Sequence, residues 1–416
     1  MVTWRRWGFS LLVVLVLPAT AAAQVKNVHS TFGDDPRTQV TLSWAGGGSS
    51  AARYGTTRAM TQSLVGSAVG IHHHVQLSGL SPNTLYHYEV GGDPSAVGTF
   101  TTAPGGPSEF IFAVPGDVQS RTFSPKWKKQ SNFFDSMGAR FLLPVGDLVQ
   151  QGQEQLQWDI SYYEPALTLH SDAVLMPIRG NHERYSLSTS ERICDGVFME
   201  QFRFPNNPAD ASYAFEYGDA LFVVVDIYCS DGSAEKAWLN QLLASNTRKW
   251  IFVFLHPPIY STGGHGGADL ESTRNAIFEA HDVNVVFSGH THSMSVNHPI
   301  DDGAIVPSYA DGVLYYNLAG TNYNSDRDDH LDAKPFQQYV QPLGDMPMAT
   351  LVTVRDQEAV ITTYDYLTGG IYHTLTIPPR TSRGAASAAP SLSPPALSVL
   401  AALLAVFGVW QVQKGV

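Results

Sequence analysis

Five short apolar runs in the second part of the chain constrain its fold more than any other feature: residues 110–114, 141–145, 174–178, 250–255 and 283–287. Each has strand length, and between them lie stretches long enough for helices, such as 125–137 and 234–244. A continuously apolar strand has no polar face to offer water. Alternation of such strands with helices therefore calls for an α/β layer with crossover connections. Further runs at 221–227, 313–318, 349–354 and 359–364 add strands, some of them expected to be antiparallel. The expectation is two packed mixed β-sheets flanked by helices, spanning residues 106–378.

Each of the five runs stops at residue types that bind metals. The stops are Gly116-Asp117, Gly146-Asp147, Gly180-Asn181-His182-Glu183, His256-Pro257-Pro258 and Gly289-His290-Thr291-His292. In α/β sheets ligands gather beyond the carboxyl ends of the strands, so these loops should meet on one rim. Asp, Asn and His are hard-to-borderline ligands, suited to a pair of divalent or trivalent first-row ions. The adjacent glycines let the backbone turn and approach the ions. Taken singly, a strand-end Asp is more often a helix cap and a Gly-Asn-His a turn. The recurrence of such ends at every strand is what points to a shared site.

Before this region, residues 24–105 show short alternating segments instead of helical runs. Val40, Leu42 and Trp44 alternate with polar neighbours, and Leu85, His87 and Glu89 alternate with Tyr86, Tyr88 and Val90. Such spacing, with the Ser81-Pro82-Asn83 turn before the aromatic pair, predicts an all-β sandwich of the fibronectin type III kind. Pro104-Gly105-Gly106-Pro107 marks the boundary. His72, His73 and His74 are consecutive on a predicted strand, so their side chains alternate between faces and are read as structural, not as a metal site.

The two ends read as address signals. Residues 1–23 combine Arg5 and Arg6, an apolar stretch and Ala21-Ala22-Ala23, the pattern of an export signal. Residues 379–416 comprise a Ser/Ala/Pro linker and a hydrophobic tail, read as a membrane or wall anchor. Secretion, a periplasmic location or cell-surface attachment all fit these ends. Cys194 and Cys229 form one disulfide or remain buried thiols; no metal-ligand spacing surrounds them. A net charge of -12 argues against a nucleic-acid-binding surface, though bound cations would still admit anionic substrates.

The ordered motifs Asp117, Gly146-Asp147, Gly180-Asn181-His182-Glu183, His256 and Gly289-His290-Thr291-His292 resemble those of the calcineurin-like metallophosphoesterase superfamily. The preceding β domain, with Ala237-Trp238-Leu239 and His256-Pro257-Pro258, resembles the purple acid phosphatases within it. The resemblance implies a fibronectin type III-like sandwich followed by an α/β metallophosphoesterase domain with two metal ions, Fe, Zn or Mn. Asp147 would bridge them, Asp117 and His292 would bind the first, and Asn181, His256 and His290 the second. His182 would stabilise or protonate the leaving oxygen. The implied reaction is hydrolysis of small-molecule phosphate monoesters by a metal-bound hydroxide.

Two positions depart from this pattern. The superfamily has a histidine two residues after the first Asp, where this chain has Gln119; purple acid phosphatases have a tyrosine three residues after the second, where it has Gln150. The departure implies a colourless site and a weaker first metal position, with Gln119 as an amide ligand or the holder of a metal-bound water. Gln119 pointing elsewhere is the plainer alternative. His265, within Gly263-Gly264-His265-Gly266-Gly267, and Arg184 are candidate substrate contacts. A phosphodiesterase or nucleotidase would use the same core, and a surface-anchored binding protein without catalysis is the reading from a different class.

Overall fold

A computed structural model describes residues 24–206, 211–229, 232–260, 274–322, 334–340 and 346–381. The export-type segment, His265 and its glycines, and the hydrophobic tail lie outside the described residues. Among the described residues no helix is long and apolar enough to cross a membrane.

The first region is a sandwich of two four-stranded sheets. One pairs Lys26–Phe32, Val40–Ala45, His72–Leu77 and Ser67–Val69; the other pairs Gln62–Val65, Ala51–Gly55, Leu85–Val90 and Val97–Thr101. Val40, Leu42 and Trp44 are buried between them, as their alternation predicts. The corner is closed by the Ser81 N–H, which donates to the Tyr86 hydroxyl at 2.9 Å, a tyrosine-corner contact. The opposite, polar side of the first sheet packs on the second domain. His72 Nε2 lies 3.1 Å from Gln155 Oε1, and His74 is bracketed by Ser43 Oγ at 2.9 Å and the Glu200 carbonyl at 2.9 Å. His73 instead stacks on Trp44, with centroids 5.3 Å apart. The three histidines thus act in packing.

In the second region Phe110–Val114, Phe141–Leu142 and Val174–Leu175 run parallel. Met348–Val354, Ala359–Asp365 and Ile371–Ile377 extend that sheet antiparallel to six strands. The facing seven-stranded sheet has Ala220–Val224, Trp250–Phe254, Val285–Ser288 and Leu314–Asn317 as its parallel centre. Phe112 and Phe141 from one sheet meet Phe222 from the other at ring distances of 5.2 Å, so an aromatic layer fixes the spacing of the sheets. Two strands are shorter than the apolar runs that contain them, because Pro144 and Pro177 supply no N–H to a ladder. Helix Pro125–Ser136 starts where Ser124 Oγ accepts the Trp127 N–H at 3.0 Å, and it buries Trp127 and Phe134.

Candidate metal centre

The loops that follow the parallel strands converge. Asp147, His256 and His290 place one potential ligand atom each within 4.8 Å of one another, and Asp117, Asp147 and His292 do the same. The two groups share Asp147. Asn181 joins the former, its Oδ1 lying 3.1 Å from His256 Nε2.

Glycine makes this convergence sterically possible. A Cβ on Gly180 would sit 2.1 Å from Asp147 Oδ1, and one on Gly289 would sit 2.2 Å from Asp117 Oδ1. The backbone is also strained where the donors are: Gln119, Asp147, His290 and His292 have φ of 41°, 51°, 68° and 56°. Such left-handed non-glycine residues persist only where the surroundings over-determine them.

His256 shows what the donor set selects. Its Nδ1 lies 2.7 Å from the Val145 carbonyl and donates to it, which leaves the Nε2 lone pair of the neutral ring facing inward. That atom meets Asp147 Oδ2 at 3.2 Å, Asn181 Oδ1 at 3.1 Å and His290 Nδ1 at 3.2 Å. Lone pairs crowded this closely fit a shared cation. The two carboxylates make this a place for positive charge: burial lowers the His256 pKa, but Asp147 and Asp117 outweigh it and push it up to about 10, so a proton on Nε2 and a cation compete for the same lone pair. His292, 3.3 Å from Asp117 Oδ2, is likewise raised against the effect of burial. Burial raises Asp147, yet His256 and His182 bring it below the usual carboxylate range.

Glu183 has no role in the sequence reading, although it stands in the third motif. Its buried carboxylate accepts the N–H groups of Gly180 at 2.6 Å, Asp147 at 2.9 Å and Leu148 at 2.8 Å, stapling two motif loops together. Burial, then the charge of Asp147, push its pKa up to about 7. The strand at Ala220–Val224 also delivers residues to the rim: Asp226, 3.4 Å from buried Arg179, and Tyr228, whose hydroxyl lies 3.5 Å from Asn181 Oδ1. The signal was present in the sequence, since the apolar residues 221–225 stop at Asp226, as two of the other runs stop at Asp117 and Asp147. Cys194 and Cys229 form a disulfide that anchors the residue next to Tyr228.

His182 sits beside the centre with Nε2 3.9 Å from Asp147 Oδ2. Gln150 approaches its Nδ1 with the carbonyl at 2.7 Å and the side-chain amide at 3.0 Å, while Gln119 Nε2 lies 2.7 Å from its Nε2. Gln119 Oε1 is buried without a hydrogen-bond partner, a free acceptor close to the donor set. Arg184 lies over Tyr228.

Most of the described residues match known proteins. Residues 112–294 match the calcineurin-like phosphoesterase family, and residues 25–102 match the purple acid phosphatase N-terminal domain. Purple acid phosphatase 21 of Arabidopsis thaliana is 31% identical over 245 residues, covering 55% of this chain and 54% of its own length. Purple acid phosphatase 18 of the same plant is 24% identical over 309 residues, 68% of each chain. The chain spans about half the length of the first curated relatives it matches. Among solved structures, a purple acid phosphatase from yellow lupin seeds superposes with a TM-score of 0.73 at 15% identity, covering 87% of this chain and 75% of that one. PhoD superposes with a TM-score of 0.60 at 14% identity over 86% and 92%. These two likenesses establish the fold.

Proposed function

The chain belongs to the calcineurin-like phosphoesterases as a purple acid phosphatase-like member, and from that premise we propose that it is an exported, two-metal hydrolase of phosphate monoesters. The observation that carries this reading is the sharing of Asp147 between two donor groups, an arrangement that would suit a pair of ions. Asp117 and His292 would hold one ion with Asp147, and Asn181, His256 and His290 would hold the other. Gln119 Oε1 is the remaining acceptor available to the former or to its water. When bound, the ions supply an activated water and neutralise the phosphoryl oxygens, which explains how a chain of net charge -12 handles an anionic ester.

The chain's own residues do the rest. Glu183 and Gly180 hold Asp147 at its register. His182 is the group proposed to act on the leaving-group oxygen; the Gln150 carbonyl orients its Nδ1, and the Gln119 amide lies 2.7 Å from its Nε2. Arg184 and His265 are proposed substrate contacts. Export rests on the amino-terminal pattern, and the Cys194–Cys229 disulfide supports it, since such bonds persist in oxidising compartments. The hydrophobic tail is read as an anchor on its sequence alone.

The test is hydrolysis of a chromogenic phosphate monoester and the matching diester by the purified protein with added Mn, Zn or Fe, beside Asn181→Ala. Metal-dependent turnover lost in the variant supports the enzyme. A preference for the diester moves the assignment to a phosphodiesterase, and absence of turnover with every metal overturns it in favour of a binding protein.

A further inference from the structure

Two arginines at the rim of the metal centre are held in place by aromatic rings instead of carboxylates. The Arg184 guanidinium lies 4.6 Å from the centroid of Tyr228, and its Nη1 donates to the Tyr228 carbonyl at 3.3 Å. Its Nε is buried without a hydrogen-bond partner. The Arg192 guanidinium lies 3.8 Å from the centroid of Tyr185. Both rings touch Asn181: its Nδ2 donates to the Tyr185 hydroxyl at 2.9 Å, and the Tyr228 hydroxyl lies 3.5 Å from its Oδ1. The Tyr185 ring also packs against His182, with centroids 4.5 Å apart. The Cys194–Cys229 disulfide ties the segment carrying Arg192 to the one carrying Tyr228.

The charge balance of this wall is unusual for so acidic a chain. Among the described residues neither Arg184 nor Arg192 forms an ion pair, and Asp226, the carboxylate whose charge reaches Arg184, already faces Arg179 at 3.4 Å. Stacking on a ring holds a guanidinium by its face and leaves N–H edges for a planar or tetrahedral oxyanion. We propose that Arg184 and Arg192, positioned by Tyr228, Tyr185 and the disulfide, form a subsite for a second phosphoryl group of the substrate, so that the enzyme prefers esters or anhydrides bearing two phosphate groups. This rests on the phosphoesterase reading above, which places the first phosphoryl group on the metal pair.

Non-hydrolysable probes separate the two readings. Calorimetric titration of the metal-loaded full chain with methylphosphonate and with methylenediphosphonate gives an affinity ratio that does not depend on turnover. The ratio is expected to favour the diphosphonate by about 10-fold to 100-fold, the scale of one or two charge-assisted hydrogen bonds. Arg192→Gln, at an exposed position that does not disturb folding, should bring the ratio below about 3-fold, as should Arg184→Gln, with Arg192→Lys between. A ratio near one in the unmodified protein, or one unchanged in both Gln variants, overturns the subsite; the latter result would mean that the diphosphonate simply chelates the metals. A variant-sensitive ratio in a protein that hydrolyses no nitrophenyl phosphate supports the subsite and overturns the monoester reading alone.

Discussion

The side-chain amide nitrogen of Gln119 lies 2.7 Å from Nε2 of His182, and the Gln150 carbonyl lies 2.7 Å from Nδ1 of the same ring. The two glutamines therefore grip an imidazole from both sides. The ring is fixed between two neutral amides, and Asp117, Asp147 and His292 are the residues that could hold an ion beside it.

The absence of a tyrosine at position 150 has an optical consequence. The iron-loaded protein should show no strong visible charge-transfer band, because no phenolate reaches the metal from that loop. Gln150→Tyr should introduce such a band on loading with ferric iron. An absorption spectrum of both proteins decides it; a strong band in the unmodified protein would be the contrary result.

Gly180 is expected to be irreplaceable for metal binding, because any side chain there pushes on both the carboxylate and the backbone of Asp147. A Cβ there would lie 2.1 Å from Asp147 Oδ1 and 2.4 Å from the Asp147 nitrogen, so Gly180→Ala must displace the shared carboxylate. Displacement by about 1 Å at a reacting centre costs on the order of 100-fold in rate. Elemental analysis and steady-state kinetics should show lowered metal content and that loss in kcat/KM, while circular dichroism shows a folded chain.

Acid should weaken the seam between the β domain and the second domain. Burial lowers the pKa of His29 to about 4, of His72 to about 4 and of His74 to about 3, and His170 nearby is lowered to about 3 for the same reason. Their unfolded value is near 6.5, so between roughly pH 4 and pH 6.5 the unfolded chain binds more protons than the folded one. Stability is thus fully present above pH 6.5 and is lost as pH falls toward the folded values. His29, fully buried, accounts for roughly 3 kcal/mol of this at about 1.4 kcal/mol per unit. Thermal unfolding measured from pH 7 to pH 4 should show a falling Tm, with a shallower slope in His29→Gln. A flat profile would contradict the burial of these rings.

The disulfide should matter to stability and to the rim alike. Cys194 and Cys229 are 35 residues apart, a loop whose closure is worth about 3–4 kcal/mol in the chain-entropy description. Cys229→Ser should lower Tm in the oxidised protein and abolish the further drop that reductant causes in the unmodified one. If reductant leaves the unmodified Tm unchanged, the bond contributes nothing to the folded state.

Much of this molecule is determined by its sequence alone. The apolar runs mark the buried strands, and the strand-end residues Asp117, Asp147, Asn181, His256, His290 and His292 appear in chain order because a strand delivers its ligand at its own carboxyl end. The alternation around Val40–Ala45 and Leu85–Val90 marks the sandwich, because a period of two is a local property of extended backbone.

Other features were decided only by tertiary structure. Whether the two cysteines pair depends on a Cα separation of 5.7 Å set by loops distant in sequence. The direction taken by Gln119 and Gln150 depends on where His182, far along the chain from Gln119, presents its ring. Likewise, Glu183 becomes a staple only when three N–H groups of two separate loops surround it. Periodicity and motif spacing report what neighbouring residues do to one another. Hydrogen bonds and burial between distant segments exist only after the two sheets have closed on their aromatic layer.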